Sequence, residues 1–183
     1  MGNLSWHCIQ LTGFFMIDIK VIKERTRDQD FWDFSEFVIS QAEGGNFPDY
    51  KAMDLMKIAR LVHNIWVFDF RNGLEDGLVF HFSGTKIDEL FGRNITGLDF
   101  EKIYPGEHRD ELINQTYRQV YLQKRPCYTK RFERYHEDLI DKYTTIETLM
   151  FPCSADGENI DFGLGMTKYT QSEYEGEAEF MLL

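Results

Sequence analysis

The chain has 183 residues, 43% hydrophobic and 15% aromatic, enough to bury one substantial core and so to form one domain with extra segments. A formal charge of −11 and a pI near 4.9 exclude a general affinity for nucleic acid or anionic lipid, since both need a basic surface. No apolar run reaches the roughly 20 residues that cross a bilayer, and Cys8, Cys127 and Cys153, with no CxxC pair among them, fit a reducing cytoplasm.

The opening MGNLSWHCIQLTGFF lacks the basic region of a secretory signal. Met16 begins a more ordinary start, MIDIKVIKERTRD, so residues 1–15 are expected to be an upstream extension, with 1–27 as a whole an N-terminal extension of the domain. Residues 28–45 read as a flanking helix. Asp28 stands near its start, and Phe31, Phe34 and Val38, with Trp32, Phe37 and Ile39 on an adjoining stripe, give an apolar face wide enough to want burial on more than one side. EGGNFPD, 43–49, ends it.

The next segment is helical in spacing at Leu55, Ile58, Ala59 and Val62 and turns β-rich from Ile65 to Phe70, so a hand-over from helix to strand is expected near His63. NGLEDG supplies a hairpin turn, and LVFHFSG, 78–84, is the second strand. Plain alternation puts Leu78, Phe80 and Phe82 on one face and Val79, His81 and Ser83 on the other. In FSGTKIDELFGRNITG, 82–97, Thr85 and Asp88 have the spacing of a capping box, Ile87, Leu90 and Phe91 share one helical face, and Gly92 and Gly97 are left-handed stops. Such a corner makes a wall folded over the end of a strand.

DFEKIYPG then gives a short turn of helix. EHRDELINQTYRQVYLQKRP is the clearest helix: Glu107, Asp110 and Glu111 favour its start, Lys124 and Arg125 its end, and Pro126 blocks extension. Its inner stripe is Ile113, Tyr117, Val120 and Tyr121. Strands are expected over 127–136, 141–154 and 160–170, followed by a flexible acidic tail, 171–183. The run KRPCYTKRF is the one basic island. It either steers an anionic partner or ligand or is a charged helix end entering a solvated edge strand, and because Lys130 and Arg131 point to opposite faces only part of it can line a pocket. The two glycines of FGLGM, 162–166, allow close approach by a neighbouring backbone or bulky side chain. No nucleophile elbow, phosphate-cradling loop or zinc pattern occurs, which argues against an enzyme.

The order helix, helix, strand, strand, short helices, long helix and three strands, with the corner FSGTKIDELFGR, resembles the PAS domain. The similarity is nearest to small bacterial PAS proteins that share Phe31-Trp32 in a leading helix, Gly44-Gly45 before Pro48, and the corner from Gly84-Thr85 to Gly97, over about residues 30–170. The resemblance implies an α+β PAS fold over residues 46–170: a five-stranded antiparallel sheet with helices across one face, plus the N-terminal flanking helix. It also implies a hollow, packed shut or occupied by a small apolar ligand, around Phe80, Phe82, Leu90, Phe91, Ile103, Tyr117, Phe132 and Met150. No cofactor is identified. His63, His81, His108 and His136 form no haem motif, and the flavin-binding branch requires a cysteine where this chain has none between residues 9 and 126. The function implied is a cytoplasmic sensory or signalling module, without an attached output segment and therefore acting through a protein partner or a homodimer. The surplus apolar face at Phe31, Trp32, Phe34, Phe37 and Val38 is the expected dimer contact. The competing expectations are a small cone-shaped α+β enzyme doing proton transfer on an apolar substrate, and a packed-core scaffold.

Overall fold

The computed structural model describes residues 17–42, 47–103, 111–137, 140–172, 174 and 176–183. The expected upstream extension 1–15, the Gly44-Gly45 break and the Tyr104–Gly106 stop lie outside the described residues.

Helix α1 (Ile19–Arg25) starts where the Asp18 carboxylate accepts from the Lys20 amide, and it buries Ile22. Ile22 thereby joins this N-terminal segment to the core of the domain. Helix α2 (Gln29–Ser40) is capped by Asp28, which accepts from the Asp30 amide at 2.8 Å. The stretch Leu55–Asn64 forms a 3-10 segment kinked at Ile58, where φ is −122° and ψ 34°, and not a regular α-helix. It buries Ile58 and Leu61 and hands over directly to strand β1 (Ile65–Asp69), as the change of periodicity predicts. Strand β2 (Val79–Ser83) follows, then helices α3 (Thr85–Phe91), α4 (Phe100–Ile103) and α5 (Glu111–Gln123), and strands β3 (Cys127–Glu137), β4 (Ile140–Cys153) and β5 (Phe162–Ser172). The long helix thus falls between the second and third strands, the PAS arrangement and not that of a cone with all its helices first.

The corner at α3 differs in one detail from expectation. Thr85 is the first helical residue, Gly84 occupies the cap position, and no side chain caps the helix. Gly84 lies so close to the carbonyls of Val62 and His63 that a Cβ would collide with them, which is why the capping serine or threonine of other helices cannot stand there. Asp88 does different work: its carboxylate accepts from the Ile95 amide at 3.2 Å and from Asn94 at 2.8 Å, pinning the return of the chain. Gly92, with φ of 63°, ends the helix in the left-handed region as expected.

The sheet is antiparallel throughout, in the order β2-β1-β5-β4-β3-β6. Its sixth strand, β6 (Glu179–Leu182), comes from the tail expected to be flexible. The reason is that β3 would otherwise expose its edge: Lys130–Cys127 pair with Glu179–Leu182, and the Leu183 amide donates to the Pro126 carbonyl at 2.8 Å. Directly paired residues share a face, so one row across the sheet runs Ser83, Trp66, Gly165, Met150, Cys127, Leu182, and another, on the opposite face, Phe82, Val67, Leu164, Phe151. The first row faces α3–α5. The second faces α2, whose Phe34 ring meets Phe151 edge-on at 5.7 Å.

A β-bulge decides where β2 points its aromatics. Val67 pairs with Phe82 but Phe68 pairs with Phe80, leaving His81 as an extra residue in β2. Phe80 and Phe82 therefore lie on opposite faces, which corrects the alternation read from sequence.

Candidate functional site

The space between the sheet and helices α3–α5 is lined by two kinds of surface. One is aromatic. Trp66 and Phe68 alternate on β1, with rings 4.6 Å apart, and Phe80 sits 4.7 Å from Phe68. Tyr117 of α5 closes over them at 5.4 Å from Trp66, and Phe100 of α4 stands 5.7 Å from Tyr117. Ile87 and Phe91 of α3 complete this side. The Trp66 ring can lie across the sheet because its neighbour is Gly165, where a Cβ would enter the indole, and Gly163 likewise leaves room for Phe70 and Met150. The glycines of FGLGM serve close approach, as read from sequence.

The other surface is polar. The Trp66 indole N–H donates to the Thr167 hydroxyl at 2.8 Å, and the Thr167 and Thr148 hydroxyls share a hydrogen bond at 2.9 Å. Tyr169 and Arg131 extend this wall. Arg131, its side chain 14% exposed, donates from Nη1 to Glu133 at 2.6 Å. The Ser83 hydroxyl, buried on the same face in the row of Trp66, is the one buried side-chain polar atom without a hydrogen-bond partner among the described residues. The volume of the hollow is about 20 Å³, room for about one water molecule.

Of the residues expected around a hollow, Phe80, Phe91 and Tyr117 line it. Met150 and Ile103 are buried in the core without lining it. Leu90 is 49% exposed, because the short helix α3 turns Ile87 and Phe91 inward and leaves Leu90 toward solvent. Phe82 is carried to the opposite face by the bulge. Phe132 is also on that face, since it follows Arg131 by one strand position, and its ring occupies the space that Gly176 leaves by having no Cβ. Trp66, Phe68, Ile87, Phe100, Thr148, Thr167 and Tyr169 also line the hollow and lie outside the set expected from sequence, and Arg131 joins them from the basic island. The alternation of Trp66 and Phe68 in IWVFD was the available signal for the first two; the threonines carry none.

The opposite face is packed shut. Phe31, Phe34, Phe37 and Val38 are buried in the chain's own core, so four of the five residues expected at a dimer contact are spent within the chain. Trp32, half-buried, donates its indole N–H to the Thr26 carbonyl at 2.8 Å, with Lys23 over its ring. Above them, Lys168 bridges Asp28 at 2.5 Å and Asp30 at 2.8 Å, and Arg60 pairs with Asp30 and Asp33. Burial pushes the Asp30 carboxyl up, but hydrogen bonds and charge from Lys168 and Arg60 outweigh it and hold it below the usual carboxylate range. Burial likewise pulls Lys168 down, and its two aspartates more than reverse this. Burial lifts the Cys127 and Cys153 thiols well above the ordinary range, with Asp49 and Asp161 adding to the rise at Cys153, which favours the protonated thiol in both. His81 stacks on Phe162 with ring centroids 5.0 Å apart and places Nδ1 3.8 Å from Asp69. Among the described residues, no group of three or more His, Cys, Asp or Glu is placed to hold a metal ion, and no helix is long and apolar enough to cross a membrane.

An antiparallel sheet with short helices and one long helix closed over an aromatic hollow defines an α+β module. A family model for the PAS domain matches residues 30–167, and the chain belongs to the PAS-domain family. PAS domains are in general sensory and signalling modules, not catalysts. A search of curated proteins finds no match to the chain.

Proposed function

We propose that this chain is a cytoplasmic sensory PAS module that detects a small molecule in the hollow between the sheet and helices α3–α5 and passes the change on by association with a second copy or a signalling partner. The observation that carries this reading is the alternation on β5. Thr167 and Tyr169 line the hollow, while Lys168 between them reaches through to the other face and holds the start of α2 through Asp28 and Asp30. A strand displacement of a fraction of an ångström at the hollow thus acts directly on the clamp that seats the flanking helix, because interdigitated cores shift as units. A neighbouring chain would read the altered seating of α1 and α2.

Native mass spectrometry of the protein purified from its own host tests this. The expected spectrum contains a retained small molecule, and removing it is expected to speed amide exchange at the start of α2. A bare chain, with no exchange response to any added small molecule, overturns the reading. Sedimentation at micromolar concentration tests the association separately: a clean monomer removes the homodimer.

A second reading, an interaction scaffold with a filled core, is favoured by the small volume of the hollow. Ligand pockets are usually of order 300 to 1,000 Å³, whereas the space here is about 20 Å³. The bare, unresponsive chain described above is the result that scaffold requires.

A further inference from the structure

The geometry points to a small aromatic carboxylate as the ligand class of the hollow, with Arg131 receiving the carboxylate and the Trp66–Phe80–Tyr117 side receiving the ring; this rests on the sensory reading above. Three observations converge on it. First, Arg131 is the one basic side chain lining the hollow among the described residues, and it stands on the inner face while its neighbour Lys130 points to the opposite face and pairs with Glu147 at 3.5 Å. In a chain of net charge −11, long-range attraction does not bring anions in, so a short-range fork of guanidinium donors is what would recognise one. One charge partner of Arg131, Glu133, is 53% exposed, and an ion pair with so exposed a carboxylate contributes little.

Second, the wall beside Arg131 consists of hydroxyls. Thr148 and Thr167 carry two O–H protons and share one bond, and Thr167 already accepts from the Trp66 indole, so one proton is left over for a ligand oxygen. Third, the opposite side is aromatic, its rings tilted 52–55° against one another, a mutual geometry that a ligand ring can join. The space as it stands admits about a water molecule. Room for a six-membered ring comes from rotation of the half-buried Phe91, the last residue of α3, immediately before the left-handed Gly92.

Calorimetric titration of the full chain with benzoate and with its neutral isostere benzamide tests the assignment. Benzoate is expected to bind at least about tenfold more tightly than benzamide, with an affinity that falls as salt is raised. Arg131→Gln is expected to remove that preference while leaving benzamide binding unchanged, and Arg131→Lys to restore part of it, which separates charge recognition from a fold defect. Phe91→Ala is expected to tighten both ligands and keep the preference. Equal binding of the two compounds by the natural chain, or a preference that survives Arg131→Gln, overturns the carboxylate assignment and leaves the sensory reading standing. Binding of neither compound, by the natural chain or by Phe91→Ala, overturns the assignment of this ligand class. A retained molecule in the native spectrum that carries no acid group would then show that the sensory reading survives without it.

Discussion

The two faces of one sheet are built from similar amino acids and arrive at opposite states. Toward α2 the phenylalanines are fully interdigitated, with Phe31 and Phe34 wholly buried, and the edge of the contact is locked by the Lys168–Asp28–Asp30 and Arg60–Asp30–Asp33 pairs. Toward α3–α5 the aromatics form one side of a space whose other side is hydroxyl and guanidinium, and a small volume stays unfilled. Hydrophobic content alone does not distinguish a filled face from a receptive one. The difference comes from what completes the packing: apolar side chains toward α2, and hydroxyls and a guanidinium beside the rings toward α3–α5.

That contrast can be broken or sharpened by substitution. Phe34→Ala removes a wholly buried ring from the shut face and is expected to cost about 3–5 kcal/mol in urea unfolding. Phe91→Ala on the receptive face should cost clearly less; equal costs would erase the distinction between the faces. Gly165→Ala drives a methyl into the Trp66 ring and should cost about 1–3 kcal/mol, with loss of the native tryptophan environment in near-ultraviolet circular dichroism.

Lys168→Met is expected to cost about 1–2 kcal/mol and to speed amide exchange at the start of α2 without affecting α5. Its pH signature has a definite sign. Asp30 has a depressed folded pKa, so its contribution is present above the unfolded carboxylate value near 4 and is lost as pH falls through the folded value. Lys168 has a raised folded pKa, so its contribution is complete below the unfolded lysine value near 10 and is lost as pH rises through the folded value. In the variant both limbs of the stability profile should flatten; unchanged limbs would show that the clamp contributes nothing. Thr85→Ala should have the smallest effect, within about 0.5 kcal/mol, because Thr85 is an exposed first-turn residue and not the cap. A loss near 1 kcal/mol, the usual value of a capping side chain, would restore it to that role.

Much of this architecture is legible in the sequence. The hand-over at Ile65, the left-handed stop at Gly92, the inward Tyr117 of α5 and the close approach at Gly163 and Gly165 all follow from spacing and residue type. Four features did not. Phe82 was misassigned because a bulge is visible only when β2 is laid against β1. Leu90 faces solvent because a stripe of three residues on a two-turn helix is wider than the surface it covers. The tail looked loose because its pairing partner, the edge of β3, lies about 50 residues earlier in the chain. The phenylalanines of α2 outnumber what alternation assigns to one sheet face, yet Phe31, Phe34 and Phe37 are all buried there.

The sequence by itself determined the order of the elements as far as β5, the start of α2 at Asp28, the stop of α3 at Gly92 and the PAS character of the whole, since each depends on interactions between residues a few positions apart. Only the tertiary structure decided which side chains meet. In a sheet, facing is a parity carried from strand to strand by hydrogen-bond register, and one extra residue at His81 inverts it. The same parity, through the pairing of Arg131 with Ile146, sends Arg131 to the hollow and Lys130 away from it.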